Sequence, residues 1–399
     1  MHTYPKSHIP TQPVLSSSSF LSGRRSKSVS SVLDAGTVKF VTSGRVAIAL
    51  AMKHMGIGPG DKVLVPAYHC ASMVQPVIWA GATPVFFRVR PDTTVDLDDV
   101  QSKMDGSTKA LMATNYFGFP QDLTGLRRFC DDRKLYFLED CAHSFLGEHR
   151  GKPLGSYGDF AIASAMKFFP VYEGGCLVSS RHDIGSLELN SAGLGFEVKA
   201  TFNALEKSFS FGRMAGLKAA LSAPMWLKNF LWSQVKRSTP SKSISLGPGS
   251  SDGGFNFDPK WLMTRASLFS RVMINTVPTE PIARKRRENY QMLLEALSDV
   301  PHFRPLFPDL PENVVPYVFP MVSENLPTLF PVLKNAGVPI IRFAEYLTEG
   351  VDASVCASSV ALSTHCMQLP CHQDLKPEEL QWIIEKFRAI TQSAGSNPP

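Results

Sequence analysis

KLYFLEDCAHSFLGEHRGKPLGSYGDFAIASAMKFFPVYEGGCLVS, residues 134–179, decides how the chain is read. Its first apolar run, Leu135 to Leu138, ends in Glu139-Asp140. The second, Phe160 to Ala163, leads into Ser164-Ala165-Met166-Lys167, and the third, Cys176 to Val178, follows Glu173-Gly174-Gly175. Short apolar runs separated by turn residues read as strands. This stretch therefore predicts three closely spaced sheet strands. An acid closes the first, and a hydroxyl and a lysine close the second. In open α/β sheets, ligands bind at strand ends.

An acid and a lysine at such places suit Schiff-base chemistry on pyridoxal 5'-phosphate. The lysine condenses with the cofactor aldehyde, and the carboxylate keeps the pyridine nitrogen protonated. A hydroxyl near the lysine suits the cofactor phosphate. The same residues carry a resemblance. Glu139-Asp140-Cys141-Ala142-His143 resembles the E-D-A-A-Q/H element of the DegT/DnrJ/StrS family of sugar aminotransferases. Gly155-Ser156-Tyr157-Gly158-Asp159 is similar to its G-S-x-G-D, and Glu173-Gly174-Gly175 to its D/E-G-G.

Upstream, Thr42-Ser43-Gly44-Arg45 opens an apolar run from Val46 to Met52 that is compatible with a helix. A helix N-terminus offers free N–H groups and a favourable dipole to a phosphate. The family has S-G-T-x-A-L here; Arg45 replaces the threonine, so a hydroxyl contact is lost while backbone contacts survive. Lys62 to Pro66 and Ala110 to Thr114 read as strands, and Gly81 to Phe87 as a turn and strand similar to the family's G-A-x-P-V-F. In the loop where the family places an aromatic over the cofactor ring stand Tyr68, His69 and Cys70. Direct alignment falls on Cys70. His69 is the chosen stacking residue, since a flat imidazole can stack; its alternative is to cap a turn. Asn115 ends its strand where the family has a polar residue near cofactor or substrate, or else it satisfies its own loop backbone.

The resemblance thins after Ser164. Most relatives have S-x-x-x-x-K, whereas this chain has Ser164-x-x-Lys167 and a shorter loop to Glu173. Lys167 has no rival, being the only lysine between Lys152 and Lys199. The family's asparagine-rich loop to a neighbouring subunit has only a faint echo in Phe209 to Met214. From Lys207 to Ser251 there are seven basic residues and no acid, with Leu217 to Trp232 strongly apolar. Such a segment suits a lid or subunit-interface helix. Peripheral contact with an anionic membrane is the less favoured alternative. In the lid reading Arg213, Lys218 and Lys228 are available to substrate phosphates. Resemblance returns at Ile282 to Tyr290, similar to the family's long helix of R-R-x-N-x-x-Y-x-x-L type, and at Leu369 to Leu375, similar to L-P-x-H-x-x-L. Tyr317 to Val322, Leu329 to Gly337 and Val338 to Phe343 read as strand, helix and strand.

At 399 residues, with 44% hydrophobic and 19% charged residues, the chain suits a large domain plus a smaller one. No apolar run reaches the length of a membrane span, and the start is no convincing secretory signal. Seven cysteines without C-x-x-C spacing argue against a structural metal site and suit reduced thiols in a cytoplasm. The net charge of +6 comes without an aromatic-basic nucleic-acid motif.

The resemblance implies an α/β, aspartate-aminotransferase-like fold of pyridoxal-phosphate-dependent transferases. Residues 1–37 would form a flexible or loosely packed arm. Residues 38–280 would form a large, mostly parallel sheet domain with a divergent insert at about 200–260, and 281–399 a small α+β domain. Lys167 would be catalytic, and Asp140 would pair with the pyridine nitrogen. Ser164, Ser43, Gly44 and Arg45 would hold phosphate, and His143 would steady the phenolic oxygen. The implied reaction moves an amino group from an amino acid such as glutamate to a keto group on a nucleotide-linked sugar, in a homodimer. The alternatives are a sugar dehydratase using the same cofactor and a cofactor-free binding or regulatory protein. Retained Lys167 disfavours the dehydratases that carry histidine there.

Overall fold

The computed structural model describes residues 4–20, 29–221 and 257–395. Nine strands appear before residue 180: β1 Thr37–Val41, β2 Lys62–Pro66, β3 Thr83–Phe87, β4 Thr108–Thr114, β5 Tyr136–Cys141, β6 Glu148–His149, β7 Lys152–Pro153, β8 Phe160–Ser164 and β9 Gly175–Ser179. Seven form one sheet in the order β1-β9-β8-β5-β4-β2-β3, while β6 and β7 make a hairpin. The run β3-β2-β4-β5-β8 is parallel throughout, and β9 lies antiparallel between β8 and β1. The three strands expected within residues 134–179 are thus β5, β8 and β9.

Alternate residues of these strands enter two different cores. Val63, Val65, Leu138, Ile162 and Leu177 pack under the helix Gly44–His54. Leu64, Leu111, Phe137, Ala161 and Cys176 face the opposite side. Burial of both faces explains why the strands read as nearly continuous apolar runs. The parallel alignment brings Pro66, Phe87, Thr114, Cys141 and Ser164 to one edge of the sheet. That edge carries the residues singled out by sequence.

A second, antiparallel sheet joins β10 Arg304–Pro305, β11 Val318–Val322 and β12 Cys366–Pro370. The helices Thr279–Leu297, Leu326–Asn335 and Pro377–Gly395 contribute to its core. The expected strand from Val338 to Phe343 is corrected. Only Ile341 bridges Gln368, because Pro339 has no N–H to extend the pairing and the chain turns at Ala344, where φ is 57°.

The first part of the arm packs against the smaller sheet's core. Ile9, Val14 and Leu15 are buried, Tyr4 meets Phe330 edge-on and His8 meets Trp382. His372 Nε2 lies 2.9 Å from the Pro10 carbonyl. The serine- and arginine-rich run around residues 16–28 suggested looseness, whereas the apolar residues before it bury enough surface to dock residues 4–16.

Candidate active site

Asp140 lies near the C-terminal end of β5, two percent exposed. Thr114, at the end of the neighbouring β4, donates its hydroxyl to Oδ2 at 3.1 Å, and the Ala142 N–H donates to Oδ1 at 2.8 Å. Burial pushes the carboxyl up, while the Ala142 N–H, the Lys167 charge and the Thr114 hydroxyl pull it down. Lys167 sits in a short 3-10 turn, Ala165–Lys167, directly after β8. Burial lowers its amine from the usual lysine range, against the pull of Cys70 and Asp140. A lysine poised toward its neutral form can attack a carbonyl carbon. Its Nζ lies 5.5 Å from the ring centroid of Tyr317.

His143 follows Asp140 by three residues and is also buried. Its Nδ1 accepts from the Phe117 N–H at 3.3 Å, which leaves Nε2 to carry the proton. Phe117 and Tyr317 both stack on its ring, with centroids 5.7 and 5.0 Å away, and Phe343 meets it edge-on at 4.8 Å. Burial and the Lys167 charge hold this imidazole well below its usual range, so it is a neutral N–H donor.

Glu139, one residue before Asp140, faces the other way. It accepts from the backbone N–H groups of Gly155, Tyr157 and Gly158 and from Asn115. It therefore fixes the G-S-x-G-D turn against β5, and the alternation of a strand explains why neighbouring acids do different work.

On the opposite wall, Ser43 caps the helix Gly44–His54, accepting from the Val46 N–H at 3.4 Å. Gly175 packs against this cap so closely that a Cβ would lie 2.4 Å from the Ser43 carbonyl carbon and 2.6 Å from the Gly44 nitrogen. Gly175 is thus a spacing requirement, and Gly174 has a φ of 134°, in the region that favours glycine. Gly175 pairs with Ser164 across β8 and β9, so the helix N-terminus and the Ser164 hydroxyl share one region. Arg45 is buried there and donates to the Ser72 hydroxyl at 2.7 Å. Burial lowers its guanidinium and Cys70 raises it. Lys167, Asp140, His143, Ser164, Ser43, Gly44 and Arg45 therefore line one strand-end region.

Two expected site residues have their polar atoms engaged by neighbouring protein groups. His69 has both ring nitrogens engaged, with the Ala67 carbonyl at 2.9 Å and the Thr348 hydroxyl at 2.7 Å. Its ring stacks on Phe86 at 4.7 Å. Asn115 donates to Glu139 and Cys141 and accepts from the Gln121 N–H, which spends its amide inside the loop. Arg213 is likewise unavailable to a phosphate: it is buried and pairs with Glu379 at 2.6 Å. Lys218 is exposed, and Lys228, Trp226, Phe230, Leu231 and Trp232 lie outside the described residues.

Sequence reasoning missed Tyr317, just before β11, and Phe343, just before the turn at Ala344, which have no local signal. It also gave Arg286 no role beyond its place in a helix motif. Arg286 is fully buried. Its guanidinium donates to the Lys167 carbonyl at 2.6 Å, to the Pro316 and Tyr317 carbonyls at 3.1 and 2.9 Å, and to Gln373 at 3.0 Å. Gln373 in turn donates to the Phe168 carbonyl at 2.9 Å. The shortened lysine loop is held from outside by this guanidinium.

A sheet with a buried acid, a desolvated lysine and a helix N-terminus at one edge defines an α/β enzyme of the pyridoxal-phosphate transferase type. The sequence profile of the DegT/DnrJ/EryC1/StrS aminotransferase family matches residues 14–237, and the chain belongs to that family of pyridoxal-phosphate-dependent enzymes. It is 37% identical over 143 residues to the GDP-perosamine synthase of Vibrio cholerae, covering 35% of this chain and 39% of that protein. It is 30% identical over 179 residues to the dTDP-4-dehydro-2,3,6-trideoxy-D-glucose 4-aminotransferase of Saccharopolyspora spinosa, covering 44% and 46%. The match thus spans less than half the length of these relatives. The crystal structure of an aminotransferase from Streptoalloteichus hindustanus superposes with a TM-score of 0.61 at 21% identity, over 90% of this chain and 87% of that one.

The residues present fit the cofactor. A buried carboxylate, a lysine lowered toward neutrality, a neutral imidazole donor, a strand-end hydroxyl and a helix N-terminus are the donor set that a pyridine nitrogen, an aldehyde, a phenolic oxygen and a phosphate require.

Proposed function

We propose that the chain is a pyridoxal-phosphate-dependent aminotransferase that takes an amino group from an amino acid, glutamate in the first instance, and gives it to the keto group of a nucleotide-linked sugar. The observation that carries the reading is the Asp140–Lys167–His143 cluster at the strand ends beside a helix N-terminus, with Asp140 and His143 buried and Lys167 half-buried. The sugar-nucleotide names of the partial relatives support the acceptor class.

Bound pyridoxal phosphate supplies an aldehyde that condenses with amines and a ring that draws electrons from the substrate carbon. The chain supplies the rest. Asp140, oriented by Thr114 and the Ala142 N–H, holds a proton at the ring nitrogen. Ser164, the backbone at Gly44 and the Arg45 guanidinium hold the phosphate. His143 donates its Nε2–H to the phenolic oxygen. The Lys167 amine would remove and return the proton at the substrate carbon. Tyr317, Phe343 and Phe117 exclude water around that amine.

In this reading residues 38–280 are the cofactor-bearing unit and 281–399 the smaller one. The enzyme works as a cytoplasmic homodimer; all seven cysteines are free, as a reducing compartment keeps them. The test is borohydride reduction of purified protein followed by peptide mapping, together with the absorption change on adding L-glutamate. The reading expects the cofactor fixed on Lys167 and converted to its amine form by glutamate, with both responses absent in Lys167→Ala. Fixation elsewhere, or a cofactor band that survives this substitution, refutes it. Light scattering that finds a monomer refutes the dimer.

A further inference from the structure

Tyr317 stands just before β11 and is buried, with both of its backbone groups engaged. Its N–H donates to the Phe117 carbonyl at 2.8 Å, and its own carbonyl accepts from Arg286 at 2.9 Å. Phe117 offers that carbonyl from a left-handed conformation, φ 58° and ψ 12°, which a bulky residue rarely adopts. At the next residue, Gly118, a Cβ would lie 2.5 Å from the Val315 oxygen. The loop after β4 is therefore pressed onto residues 315–317, and the contacts made there offset a strained backbone. Strain of this kind persists only where the surroundings over-determine it, and it gathers at functional sites.

The strained loop holds a stack of rings in place. Phe117 and Tyr317 both stack on His143, with interplanar angles of 21° and 27°. The Lys167 Nζ stands over the Tyr317 ring, 5.5 Å from its centroid, inside the roughly 6 Å within which a ring face attracts a cation. The other groups around the amine act differently. Asp140 and Cys70 draw its charge through space, without a hydrogen bond to it. His143 is held neutral, and Arg286 binds the Lys167 carbonyl. Burial favours the neutral amine, which suits removal of a proton. The same burial works against the ammonium that exists once the proton has been taken. A ring face stabilises that ammonium without the tight ion pair that would keep it charged.

We propose that Tyr317 is a positioning residue of this site, whose ring face seats the Lys167 ammonium between removal and return of the substrate proton. The inference rests on the aminotransferase reading for that proton, whereas the seating of the amine on the ring stands on geometry alone.

The experiment is competitive acetylation of the full-length, cofactor-free protein with trace acetic anhydride across neutral and alkaline pH, read at Lys167 by peptide mass mapping. Only the neutral amine reacts. Wild type is compared with Tyr317→Phe, with Tyr317→Leu and with protein in which pentafluorophenylalanine replaces Tyr317, each checked for an unchanged melting transition. The fluorinated ring keeps its shape but loses the negative face that attracts a cation. Without that face a larger share of the amine is neutral near pH 7. Lys167 should therefore label roughly fivefold faster in Tyr317→Leu and in the fluorinated protein. Tyr317→Phe, which keeps the face, should label as wild type does. With cofactor and substrates added, kcat should fall in the fluorinated protein while KM for L-glutamate holds. Wild-type labelling of Lys167 in the fluorinated protein overturns the proposal, even if Tyr317→Leu differs, because the ring would then act by packing alone. A raised KM with unchanged kcat overturns it as well. If borohydride fixes no cofactor on Lys167 in wild type, the function above fails, and the labelling rates still decide whether the ring seats the amine.

Discussion

Arg286→Met tests whether the lysine loop is held from the smaller sheet. The substitution deletes hydrogen bonds to the carbonyls of Lys167, Pro316 and Tyr317 and to Gln373, along with the guanidinium that stands 4.4 Å from the Phe168 ring centroid. Hydrogen bonds to a charged group contribute roughly 1.5–3 kcal/mol each. Against that loss, methionine relieves the desolvation of a buried cation, which costs several kcal/mol. Burial already pulls this guanidinium down to about 10. Four such bonds lost, less the several kcal/mol of desolvation relieved, leave a net destabilisation of about 3–5 kcal/mol. An unfolding entropy of about 2.1 cal/mol/K per residue gives on the order of 0.8 kcal/mol/K for a chain of this length, hence a melting shift of about 4–6 °C. Because one deleted bond ends on Lys167 itself, the fraction of cofactor fixed there by borohydride should fall as well. Arg286→Lys keeps the charge but not the planar fork, so it should lie between. Scanning calorimetry and peptide mapping measure the two effects. A variant melting within about 1 °C of wild type, with Lys167 fully modified, would refute the idea that this arginine positions the loop.

Glu173 is fully buried, accepts from the Ser267 N–H at 3.0 Å and hydroxyl at 2.7 Å, and leaves Oε2 without a partner. Burial raises its carboxyl from 4.5 to about 7. The native state then holds a proton that the unfolded state releases, so this group's stabilisation is present below about pH 4.5 and lost as pH rises through about 7. Glu173→Gln should gain on wild type in melting temperature from pH 5 to 8, and a constant difference would count against the assignment. Gly175→Ala should cost more than about 2 kcal/mol and impair cofactor retention, since its Cβ collides with backbone at Ser43 and Gly44. Wild-type melting and cofactor content in that variant would show that the wall yields.

The sequence by itself determined the sheet and one end of the site. Three strands of residues 134–179, the acid closing β5 and the lysine after β8 are local features. Period-two burial and strand-end chemistry print directly into residue order. Ser43 and Gly44 were legible for the same reason, as a cap and a turn beside an apolar helix. The alternation that separates Asp140 from Glu139 was implicit there too, but which acid faces the ligand depends on the neighbours: Thr114 on one side and the N–H groups of Gly155 to Gly158 on the other.

Only the tertiary structure decided the remainder. His69 and Asn115 sit at strand ends, as a cofactor contact would, yet their hydrogen bonds run to Thr348, Glu139 and Gln121. Residue type and spacing do not record which side of a loop a side chain takes. Arg286, Tyr317 and Phe343 reach Lys167 or its neighbours from far along the chain. Non-local packing aims them, and no periodicity within their own segments marks that destination. The arm shows the same limit: its prolines and three apolar residues matter because a groove exists to receive them, and that groove forms only when the smaller sheet and the helix Leu194–Ser210 come together.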